Sequence, residues 1–67
     1  MYRVKSEYRG YKVGDRIKLI NMEDSQAVPS GTCGTIDCID DIGQLHMKWD
    51  DGRTLAVNLD EDIITKI

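Results

Sequence analysis

Phenylalanine is absent from this sequence, and proline, tryptophan and histidine occur once each. With only three tyrosines beside the tryptophan, an aromatic-lined groove for proline-rich peptides would have to borrow Tyr8 or Tyr11. Two cysteines, Cys33 and Cys38, stand five positions apart, which is neither the C-x-x-C of zinc and redox sites nor the density of a disulfide scaffold. They are expected to be free thiols. His46 is the only other soft ligand, so a structural zinc would be one ligand short, and neither metal nor cofactor is expected. One histidine without an adjacent serine motif leaves no trio of nucleophile, base and orienter, so the chain reads as a non-enzyme with no small-molecule substrate. Apolar runs stay well below the length of about 18 residues that a membrane helix needs, and the start lacks the pattern of a secretion signal. The expected compartment is the cytoplasm, with no membrane partner.

What the sequence does contain is one small domain of 67 residues, 40% hydrophobic and 31% charged, a composition that folds rather than one that stays disordered. A chain of this size buries only about 60% of its unfolded surface, which excludes a deep cleft between two domains. Net charge is −3, against a surface that grips nucleic acid all over. The charge is unevenly spread. Residues 1–18 hold six basic groups against two acidic ones, a balance of +4, and residues 19–67 hold three against ten, a balance of −7. Such a chain either offers Arg3, Lys5, Arg9, Lys12, Arg16 and Lys18 to a nucleic acid or folds its basic end onto its own acidic body. The second needs no partner and is the favoured reading.

Residues 1–12 read as an arm with at most a short helix, docked through its tyrosines, because Met1, Val4, Tyr8 and Tyr11 share a helical stripe while Tyr2, Val4 and Tyr8 also suit a strand. From Val13 the pattern is regular. Arg16–Ile20 alternates basic and apolar, a half-buried strand with Ile17 and Leu19 inside. Residues 21–33 have loop composition and hold the only proline, Pro29, with Met22, Ala27 and Val28 to pin the loop down. A second strand follows over Gly34–Ile39, where Ile36 and Ile39, three apart, signal a bulge or bend. Asp40-Asp41-Ile42-Gly43 is a hairpin connection, and Gln44–Trp49 is the cleanest alternation, with Leu45, Met47 and Trp49 inward and His46 outward beside Lys48. Asp50-Asp51-Gly52-Arg53 predicts a type I′ hairpin returning as Thr54–Val57, with Leu55 and Val57 inward. Asn58 and Glu61 have the spacing of a capping box around one 3₁₀ turn, and Ile63–Ile67 closes as a fifth strand whose natural partner is the first.

Three constellations have simpler explanations than chemistry. Gly31-Thr32-Cys33-Gly34-Thr35 lacks the lysine and following helix of a phosphate loop and reads as a sharp loop-to-strand turn. The pairs Asp40-Asp41 and Asp50-Asp51 lack the spacing of a calcium loop and are turn residues. Trp49 shares a face with Leu45 and Met47, which favours core or core edge over a stacking platform.

Five short strands, a long loop after the first, two tight hairpins and a helical turn before the last strand give an all-β chain with the element order of a small five-stranded SH3-like barrel. The segment Gly14-Asp15-Arg16-Ile17, Met22, the run Pro29 to Ile36, Asp40 to His46 and Trp49-Asp50-Asp51-Gly52 together resemble a family of short bacterial domains of unknown function with an SH3-like barrel, common on mobile elements of Gram-positive bacteria. The resemblance spans about Val13 to Ile67 and departs at Ser30, where a second proline is often found. It implies a fold and no catalytic residues. The expected role is a non-enzymatic protein-interaction or regulatory module, an arm at 1–12 and a barrel domain at 13–67. Candidate binding residues are Tyr8, Tyr11, Met22, Pro29, His46, Lys48 and Trp49, and nucleic acid is the alternative partner.

Overall fold

The computed structural model describes residues 4–67. All regular structure among them is β: β1 (Val4–Lys5), β2 (Glu7–Tyr8), β3 (Tyr11–Lys12), β4 (Arg16–Asn21), β5 (Cys33–Asp40), β6 (Gln44–Trp49), β7 (Val57–Asn58) and β8 (Ile63–Lys66). One sheet runs β7-β6-β5-β4-β8, with β1 also on β5, and β2 pairs only with β3. Every pairing is antiparallel.

The core follows the alternation in the sequence. Ile17 and Leu19 of β4, Ile36 and Ile39 of β5, Leu45, Met47 and Trp49 of β6 and Val57 of β7 are buried, joined by Met22 and Val28 from the long loop. Ile36 and Ile39 share the inner side because the β5–β6 register shifts between Ile36 and Cys38, leaving Asp37 as the extra, exposed residue. The irregularity also divides the labour of β5. Its first half pairs with β4 from Cys33 to Thr35, and its last two residues pair with β1.

Four expectations are corrected. The first twelve residues hold no helix in their described part; Val4–Lys5 lies along β5, and Tyr8-Arg9-Gly10-Tyr11 is a tight hairpin with Arg9 at φ 51° and Gly10 at φ 84°, the two left-handed positions of a type I′ turn. The Asp-Asp-Gly hairpin, by contrast, is not type I′. Gly52 alone is left-handed, at φ 92°, its N–H donates to Trp49 O, and Trp49 N–H donates to Arg53 O, the pattern of a three-residue loop with a glycine bulge. After it, Thr54–Ala56 stays outside the ladder, because the indole Nε1 of Trp49 takes the Leu55 carbonyl at 2.8 Å, and only Val57–Asn58 rejoins β6. The turn at 59–61 is not a 3₁₀ helix. Asn58 O accepts from both Glu61 and Asp62 N–H, Asn58 Oδ1 accepts from Asp60 N–H, and the carboxylate that reaches back to Asn58 N–H belongs to Asp62 rather than Glu61.

The last strand pairs with the first long one, β8 against β4, as expected. The sheet nevertheless does not close into a barrel, since β7 and β8 are not hydrogen-bonded to each other and, among the described residues, each ends the sheet as an edge.

Candidate functional site

The edge of β8 is the feature of the sheet most able to do something. Lys18 pairs with Thr65, and the N–H of Ile67 donates to Arg16 O at 3.2 Å, so the odd-numbered residues of β8 turn their backbone groups toward β4. In an antiparallel ladder the alternate residues then turn theirs away. Among the described residues, Ile64 N–H and C=O and Lys66 N–H therefore face the open side without a partner, and Lys66 C=O accepts only from Thr65 Oγ1, at 3.5 Å. Side chains alternate as well: Ile64 and Lys66 lie on the core side opposite Leu19 and Ile17, while Ile63, Thr65 and Ile67 lie on the outer side.

A groove of about 330 Å³ runs beside this edge, lined by Arg9, Tyr11, Leu59, Asp62, Ile63 and Ile64. Its floor is apolar, from Tyr11, Leu59 and Ile64, all half-buried against the core. Its rim is charged. Arg9 Nη1 lies 2.8 Å from Asp60 Oδ1, which with the hydrogen bond between them holds the guanidinium above its usual pKa. Lys66 Nζ sits 3.3 Å from Asp15 and 5.7 Å above the Tyr11 ring. Asp15 also caps its turn by accepting from Lys12 N–H at 2.9 Å, and this bond first, with Lys66 second, outweighs desolvation and holds its carboxyl below the usual range.

A second concavity of about 600 Å³ lies between the long loop and the segment after the Asp-Gly turn, at Ser25, Gln26, Ala27, Arg53, Thr54 and Leu55. Arg53 Nη1 donates to Ala27 O across it at 2.9 Å, tying its two sides together.

The residues singled out from sequence do not form one surface. Met22 is 8% exposed and Trp49 3%, both in the core, so neither can touch a partner without unfolding. Tyr8 packs half-buried beneath Gly43, with Lys5 and Arg9 over its ring at 5.7 and 5.1 Å. Pro29 is exposed on the loop, where its carbonyl accepts from Thr32 N–H. Lys48 is exposed on β6, 3.7 Å from Asp37. His46 is not simply solvated, because its Nε2 lies 2.9 Å from Oδ2 of Asp40. Only Tyr11 of this set lines the groove.

Asp40 anchors the β5–β6 turn with its other oxygen, which accepts from Ile42 and Gln44 N–H. Burial pushes its carboxyl up, but the His46 and backbone hydrogen bonds together outweigh that and leave it below the usual value. Among the described residues no three of His, Cys, Asp and Glu gather as metal ligands. Cys38 sits opposite His46, and Cys33 lies at the other end of β5 opposite Lys18.

Of the basic series, Arg3 falls outside the described residues. Arg9 is bound to Asp60, and Arg16 makes a two-armed bond to Asp50 at 2.8 and 2.7 Å, with a third contact to Thr35 Oγ1. That bond raises the Arg16 pKa and lowers that of Asp50. Lys12 and Lys18 are exposed. The basic segment thus lies partly back on the acidic body.

The sequence matches, over residues 2–67, the family described as Domain of unknown function (DUF4314). The chain belongs to this family. The DUF4314 match takes in the first three strands, which the resemblance from Val13 onward left out. Their β2–β3 turn supplies Arg9 and β3 supplies Tyr11 to the groove, so the edge of β8 and its floor lie within the family's span. No curated protein and no solved structure matches the chain. No helix among the described residues is long and apolar enough to cross a membrane.

Proposed function

We propose that this domain is a non-enzymatic protein-interaction module, an SH3-like arrangement of strands in a bacterial, cytoplasmic setting of the kind its resemblance implies, which receives an extended segment along β8. The observation that carries this reading is the row of outward backbone groups at Ile64 and Lys66, with no strand paired to them among the described residues, beside the apolar floor of Tyr11, Leu59 and Ile64. Strand addition draws affinity from main-chain hydrogen bonds and selectivity from pockets for alternate side chains, and both parts are adjacent at this edge. Small sheets ordinarily protect such edges with charge or proline; Ile63–Ile67 carries one lysine and no proline.

Capture from a bacterial extract tests it. Lys66→Pro removes an N–H that points away from β4, a place where an edge strand tolerates proline. A partner retained by the wild type and lost by Lys66→Pro supports the proposal, and equal capture by both sinks it.

The alternative partner, nucleic acid held by the basic series, has less support, because Asp60 and Asp50 occupy Arg9 and Arg16. A titration with mixed DNA and RNA over a salt series decides it, since phosphate contacts are strongest at low salt and no association there ends that reading.

A further inference from the structure

We propose that the segment received by β8 is β8 of a second copy, paired antiparallel about a two-fold axis through Thr65. This rests on the strand-addition reading above and names its partner. The argument begins with ladder parity. Ile64 and Lys66 are the residues of β8 whose backbone groups face outward, so a two-fold pairing that uses both must set Ile64 against Lys66 of the other copy and Lys66 against its Ile64. That leaves Thr65 facing Thr65 on the axis. Ile63 then falls opposite Ile67 of the other copy, and Ile67 opposite its Ile63.

The register is self-complementary. Ile63 and Ile67 are 56% and 64% exposed, two of the five large hydrophobic residues left open among the described ones, and Ile20, at 45%, sits at the β4 irregularity opposite Ile63 and Ile64. Pairing by any other shift that uses the same outward groups separates Ile63 from Ile67. In this one, the outer face of the joined sheet gains two Ile63–Ile67 pairs, each flanked by Ile20, and apolar cross-strand pairs are what stabilise such a junction.

Charge agrees with it. Lys66, the one charged residue of Ile63–Ile67, lands beside Ile64 and diagonal to Asp62 of the other copy, within the reach of a long side chain. No like charges are placed directly opposite one another. An edge pairing of this size is smaller than a permanent interface, so the assembly is concentration-dependent.

The experiment is a mass measurement by light scattering or sedimentation from ~10 µM to ~1 mM, a range that spans weak association. The wild type is expected to rise from 7.6 kDa toward twice that value. Lys66→Ala keeps the outward N–H but loses the charge that faces Asp62 of the other copy, and is expected to associate more weakly than the wild type while still rising above 7.6 kDa at ~1 mM. Lys66→Pro, and Ile63→Lys with Ile67→Lys, should stay at 7.6 kDa while keeping dispersed amide spectra. In a mixed labelled and unlabelled sample, intermolecular methyl contacts should join Ile63 to Ile67. A wild type that remains at 7.6 kDa at ~1 mM, or a dimer that Lys66→Pro leaves intact, overturns the proposal. Should the first result be accompanied by extract capture that Lys66→Pro abolishes, strand addition stands and only the identity of the partner falls.

Discussion

The ring of Tyr8 occupies the space that a Cβ on Gly43 would need: such an atom would stand 2.6 Å from two ring carbons and 2.9 Å from the hydroxyl oxygen. Gly43 also has φ 87°, where a side chain is strained whatever the space. One glycine thus completes the β5–β6 turn and seats the β2–β3 hairpin against it. The hairpin carries Arg9 and Tyr11 to the groove, so this contact links the turn to the proposed site.

Gly43→Ala should therefore cost both a backbone and a packing penalty, about 2–4 kcal/mol together. Gly52→Ala is the control, since Gly52 has φ 92° but nothing within 4 Å of its would-be Cβ, and should cost only the backbone part, about 1–2 kcal/mol. Urea denaturation of the two variants measures the difference. Equal losses would mean that Tyr8 moves aside freely and does not seat the hairpin.

Much of this fold is visible in the sequence, and the reason is period. Ile17, Leu19, Leu45, Met47 and Trp49 alternate with polar residues and all are buried. The broken spacing of Ile36 and Ile39 signals the irregularity at Asp37. Turns were harder. Arg9 in a left-handed position has none of the signal that asparagine would give, so the β2–β3 hairpin was hidden, and Asp50-Asp51-Gly52 does not disclose whether two residues or three make its loop. The groove was least legible. Its lining comes from the first hairpin, the Leu59 turn and β8, and the open groups of Ile64 and Lys66 are defined only once the register against β4 is known.

Acid should weaken the fold in a defined window. Asp40, Asp15 and Asp50 all have carboxyls held below their ordinary values, so the folded state keeps them charged where the unfolded chain begins to take up protons. The stability they add is fully present above about pH 4, the ordinary aspartate range, and is lost as pH falls through their folded values. Urea midpoints measured from about pH 6 to pH 2 should be level at first and then decline. Asp40→Asn should start lower, having lost the carboxylate that faces His46 and the Ile42 and Gln44 N–H groups, and decline less steeply. An unchanged slope in that variant would show that Asp40 does not contribute to the acid transition.

Trp49 reports on the core from within it. At 3% exposure, with Nε1 donating to Leu55 O at 2.8 Å, its emission should be blue-shifted in the folded domain and move red on denaturation. The indole bond stands in for the ladder that Thr54–Ala56 does not make, so Trp49→Phe deprives the Leu55 carbonyl of its donor. The expected cost is about 1–3 kcal/mol from the unpaired group, before any loss from the smaller ring. Amide exchange adds a local test: the segment around Thr54–Val57 should lose protection in this variant more than β4 does, because β4 is held by ladders on both sides. Uniform loss across the sheet would mean that the indole supports the whole core and has no special hold on the strand that follows the turn.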